Sequence, residues 1–96
     1  MTVELLPETF STRVGERFHA VPTSEGEPFD LVLTKCEVGE TQHHRVPFSL
    51  LFHADTAGHV PQQIVNLTND ALGELQLFVV PLGPDEGRMR YEAVIN

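Results

Sequence analysis

GELQLFVVPLGPDEGRMRYEAVIN, residues 73–96, is the stretch whose reading decides the fold. Between Glu74 and Leu82, the side chains of Leu75, Leu77 and Val79 alternate with Gln76, Phe78 and Val80. Successive side chains of a strand point to opposite faces, so one face here is wholly apolar and the other becomes apolar toward its end. Val, Phe and Leu dominate the run, and Gly73, Pro81 and Gly83 bound it, which favours strand over helix. Gly83–Gly87 has turn composition, with glycine supplying positive φ and proline fixing its own φ. The chain returns as a strand over Arg88–Ile95, with Met89, Tyr91, Ala93 and Ile95 on one face and Arg90, Glu92 and Val94 on the other. A chain ending inside such a strand is expected to have its C-terminus tied into the sheet.

Working outward, the same alternation predicts four more strands: Glu16–Val21, Glu27–Val38, Val46–His53 and Gln62–Thr68. The polar segments 22–26, 39–45, 55–61 and 69–73 connect them. These connections are too short for crossover helices, so neighbouring strands are expected to be antiparallel. One short helix is predicted over Leu5–Val14. Pro7 suits its first turn, Glu8 favours the positive end of the helix dipole, and Gly15 sits where the helix would stop. Leu6, Phe10 and Val14 would form its buried stripe. The expected architecture is a single all-β domain over 1–96, with the helix over 5–14 and six antiparallel strands over 16–95 forming a small barrel or sandwich. The Leu6-Pro7-Glu8-Thr9 likeness to a sortase sorting signal is a coincidence, because Phe10 replaces the glycine and no membrane tail follows.

The 96 residues suit one modest core. With 41% hydrophobic and 21% charged residues the composition is that of an ordinary globular chain. Fourteen acids against six bases leave a net charge of −8, which repels phosphate backbones and anionic lipid surfaces; neither nucleic acid nor membrane is expected as a partner. A lone Cys36 cannot form an internal disulfide, and Met1-Thr2-Val3-Glu4 opens no signal peptide, so a cytoplasmic location is expected.

Four ordered blocks then point to a family. They are E-x-F-x-x-x-V-G-x-x-F (Glu8, Phe10, Val14, Gly15, Phe18), PFSLLF (Pro47–Phe52), ALGELxLFxVP (Ala71–Pro81) and YEAVIN (Tyr91–Asn96). In these the chain resembles, over nearly its whole length, a family of small bacterial proteins known as a domain of unknown function. The resemblance implies a bacterial origin, a stand-alone domain and an association with phage-tail-like collar or fibre proteins. It implies no catalytic residues.

The residues themselves carry few chemical signals. Five histidines stand at 19, 43, 44, 53 and 59. His44, His53, Asp55 and His59 are the first suspects for a metal site, but neither an HExxH motif nor a Cys/His pairing is present, and solvated loop histidines are the expected reading. Cys36 lies mid-strand among apolar neighbours, where cysteine serves as a packing residue more often than as a nucleophile. The carboxylate pairs Glu37/Glu40 and Asp85/Glu86 sit in polar loop settings that would not raise a pKa. Asn66-Leu67-Thr68 fits a glycosylation sequon without a secretion signal to give it meaning. No enzyme, cofactor or metal is therefore expected.

Interaction fits better. Val32, Leu51, Ile64, Phe78, Val80 and Val94 add apolar positions beyond what one core face needs. Either an outer helix covers them or a partner does. A sheet that fails to close would also leave an edge for strand addition. The expected function is a non-enzymatic protein-interaction or assembly module, binding a protein or itself and associated, through the family resemblance, with phage-tail-like or surface-fibre assembly. The alternative is a small-ligand barrel with a pocket lined by Phe48, Leu50, Phe52, Leu77 and Tyr91.

Overall fold

A computed structural model of the chain describes residues 7–40, 47–54 and 61–95. It contains helix α1 (Pro7–Ser11) and strands β1 (Arg17–Pro22), β2 (Phe29–Val38), β3 (Phe48–Ala54), β4 (Gln63–Asn69), β5 (Gly73–Asp85) and β6 (Arg88–Ile95). The strands form a closed barrel in the order β1-β2-β3-β6-β5-β4, and β1 pairs with β4 to complete the ring. Every neighbouring pair is antiparallel. The chain is thus two three-stranded meanders, and β3 and β4 stand on opposite sides of the ring.

Burial follows sequence alternation closely. In β4, Gln63, Val65, Leu67 and Asn69 are buried while Ile64, Asn66 and Thr68 are exposed. Inside, Phe18 packs edge-on to Phe52 at 5.6 Å between ring centroids, and Phe29 meets Tyr91 at 5.5 Å. Such tilted and edge-on contacts suit the aromatic quadrupole. The two polar residues of β4's inner face are fully bonded through their amides. Gln63 accepts from the Ser24 and Glu25 amides and donates to the Glu25 and Pro61 carbonyls. Asn69 donates to Arg17 O and Glu16 Oε1 and accepts from the Ala71 and Leu72 amides. A buried primary amide is tolerated when its donors and acceptor are all used, and both are.

Two elements depart most from the expected bounds, the helix and the turn between β5 and β6. The helix has five residues, not two turns. Arg13 N already bonds to Phe10 O, and by Gly15 the backbone donates to Leu33 O, so pairing with β2 draws the chain out of the helix. Val14 is consequently 49% exposed instead of lying under Phe10, while Leu5 and Leu6 fall outside the described residues. The expected turn over Gly83–Gly87 narrows to Glu86 and Gly87, with φ of 52° and 80°. Two successive positive φ angles match the twist of the flanking strands, which lets β5 continue to Asp85. An irregularity between Pro81 and Gly83 shifts the register there. The other strands move by one or two residues at their ends, and Val46 falls outside the described residues.

Among the described residues no helix is long and apolar enough to cross a membrane. The helix packs against β2, where Cys36 Sγ lies 3.9 Å from Pro7 O, and its Phe10 is fully buried beside Phe48.

Candidate interaction face

Of the candidate metal residues, His53 is the one among the described residues. His44, Asp55 and His59 lie outside the described residues. His53 stands half-buried on β3, opposite Val32 and Arg90. Among the described residues no group of three His, Cys, Asp or Glu side chains could hold a metal ion.

The thiol of Cys36 is pushed above its ordinary pKa by burial, the opposite of what activates a cysteine nucleophile. Glu37 pairs with Lys35 on the surface, while Glu40, Asp85 and Glu86 are exposed. One ionic cluster is ordered on the outer face of β1 and β2. Asp30 receives Arg17 Nη1 at 3.2 Å and lies 2.8 Å from His19 Nδ1. The His19 hydrogen bond is the main cause of a lowered Asp30 pKa, with Arg17 assisting and partial desolvation opposing.

The five residues expected to line a ligand pocket are core. Leu50, Phe52 and Tyr91 have no exposed surface, and Phe48 and Leu77 keep 3% and 4%. A side chain lining a ligand-sized cavity would keep area accessible to water, so these five adjoin packed protein.

The surface candidates divide into separate groups. Ile64 and Phe78 are direct cross-strand partners on the outside of β4 and β5, exposed by 47% and 51%. Val80 lies two residues beyond Phe78 on the same outward side, half-buried. Glu92 separates it from Leu51, since Glu92 is opposite Val80 on one side and Leu51 on the other. Val94 is opposite Ser49 and shares a groove of about 300 Å³ with Val38 and Pro47. The sequence reading did not single out Val21, which is 38% exposed and opposite Asn66. Its outward position was implied by the alternation that turns Phe18 and Ala20 inward, but only the β1–β4 pairing places it near Ile64. Val21, Asn66, Thr68, Glu74 and Gln76 border a shallow groove of about 520 Å³ along this side.

Closure of the ring removes the sheet edge that strand addition would have used. Nor does the helix serve as a lid over Ile64 and Phe78, because it packs on β2, across the ring from β5.

No curated protein and no solved structure matches the chain. A family model does, over residues 5–95, nearly the full span on which the four sequence blocks fall. The chain belongs to the family described as domain of unknown function (DUF6916).

Proposed function

We propose that the chain is a non-enzymatic protein-interaction or assembly module that docks a partner on the outer face of β4 and β5. The observation that carries this reading is the Ile64–Phe78 pair: two large apolar side chains, side by side and half exposed, on a barrel whose helix packs elsewhere. Adjacent apolar side chains left in water are what a binding partner would cover. The filled interior weakens the small-ligand alternative, since a ligand would have to displace Phe52, Leu50 or Tyr91 from close packing. Participation in phage-tail-like or surface-fibre assembly belongs to the proposal through the family resemblance alone.

The test is affinity capture of the tagged chain from lysate of its source organism, run beside a Phe78→Ser/Ile64→Ser variant. A stoichiometric partner held by the wild type and lost by the variant is expected. Equal capture by both, or recovery of the bait alone, would reject this face as the docking site.

A further inference from the structure

The outer face of β4 and β5 is built as three consecutive cross-strand rungs of different chemistry. Ile64 and Phe78 form an apolar rung, Asn66 and Gln76 a polar one, and Thr68 and Glu74 an acidic one. All six residues are exposed. The middle rung is ordered by a 2.6 Å hydrogen bond from Gln76 Nε2 to Asn66 Oδ1. Along a strand, two rungs on one face lie about 7 Å apart, so the acidic rung is about 13 Å from the apolar one.

Charge is segregated around the ring. From Val60 through Gly87 the sequence has no Lys, Arg or His, while Asp70, Glu74, Asp85 and Glu86 fall within it. Of the described bases, Arg17, Lys35, Arg88 and Arg90 lie on β1, β2 and β6, and Arg13, between α1 and β1, is paired with Glu16. Across the β1–β4 pairing His19 stands opposite Thr68, and Asp30 already holds it. Neither Glu74 nor Glu92 has an ion-pair partner among the described residues.

We infer that this face docks a basic protein segment, which seats an apolar side chain on Ile64 and Phe78 and a Lys or Arg at Glu74. This deepens the interaction reading and rests on it. A two-fold contact between copies would set the face against itself, bringing Glu74 toward a surface that has no cation, between molecules each carrying −8. A basic partner instead answers both the apolar rung and the uncompensated carboxylate. The spacing sets its pattern: anchor and cation stand about four residues apart if the segment is extended, or about nine if it is helical.

The experiment is backbone amide chemical-shift mapping of the whole chain with a Leu/Lys amphipathic peptide as probe and its Leu/Glu counterpart as control. Saturable shifts at Ile64, Asn66, Glu74, Gln76 and Phe78 are expected with the Lys peptide alone. Glu74→Lys should weaken binding at least about threefold and Phe78→Ser about tenfold or more. Shifts centred on β2 and β3, equal binding of the Glu peptide, or insensitivity to Glu74→Lys would overturn the inference. Sedimentation of the free chain separates the two readings. Self-association lost on Phe78→Ser would reject the basic partner yet keep the interaction face. Absence of both peptide binding and self-association, with no lysate partner, would reject both.

Discussion

Gln63 grips Glu25 by both of that residue's backbone polar groups: Oε1 accepts from Glu25 N at 3.1 Å, and Nε2 donates to Glu25 O at 2.6 Å. One side chain of β4 thereby fastens the loop between β1 and β2, across 38 residues of sequence. Replacing Gln63 by Leu keeps the volume and orphans the Ser24 and Glu25 amides and two carbonyls. A loss of about 1–3 kcal/mol is expected, read by chemical denaturation. Gln63→Glu should also destabilise, because a carboxylate can accept from the amides but cannot donate to the carbonyls.

The hairpin tip offers a gain. Glu86 has a φ of 52°, a region glycine and asparagine enter more readily than glutamate. Glu86→Asn should stabilise the chain by roughly 0.5 kcal/mol, and Gly87→Ala, at φ 80°, should cost about 1 kcal/mol or more. Thermal melts of the two variants should move in opposite directions. Movement in the same direction would contradict the turn geometry.

Acid should expose the Asp30 cluster. Its folded pKa lies below the ordinary aspartate value, chiefly through the His19 hydrogen bond. Such a group adds stability above its unfolded pKa of about 3.9, and the contribution fades as pH falls through the lower folded value. The carboxylate is partly solvated, so the contribution is small. Asp30→Asn should therefore lower stability at neutral pH and converge with wild type as the pH falls below the lowered folded pKa of Asp30. Carbon-detected titration of the Asp30 carboxyl checks the direction independently.

Phe52 tests whether the barrel is filled. Truncation to alanine removes the edge-on partner of Phe18 at a fully buried site. A cost of about 3–5 kcal/mol is expected, a large part of the ~5–15 kcal/mol that holds a domain folded. A cost under about 1 kcal/mol would mean the interior is not close-packed.

Phe78 should behave in the opposite way. It is half exposed, so Phe78→Ser is expected to leave the melting temperature close to wild type while weakening partner capture. A folding defect as large as that of Phe52→Ala would make Phe78 a core residue and remove the basis of the docking face.

Much of this was legible in local pattern. The period-two alternation of Arg88–Ile95 locates β6 with the same bounds the structure has, and the same rule turns Val65 and Leu67 inward and Ile64 outward. The helix was less legible, because its end is decided by Gly15 and Leu33, a backbone bond between residues 18 positions apart. The turn at Glu86–Gly87 was blurred by Gly83 and Pro84, which look like turn residues yet remain in β5. Gln63 and Asn69 gave no signal at all, since an amide's buried role depends on loops and strands distant in sequence.

By itself, the sequence determined the all-β class, the number of strands and the side of each strand that faces inward. Those follow from φ/ψ preference and from side chains alternating across a pleated backbone, both local properties. Tertiary structure alone decided that β1 meets β4 and closes the ring, and that Phe48, Leu50, Phe52, Leu77 and Tyr91 pack as core and not around a pocket. It likewise decided that Ile64 stands beside Phe78 while Leu51 and Val94 stand apart. Neighbours across a sheet are set by strand order and register, which arise from closing long loops around one core, and no local alternation encodes them.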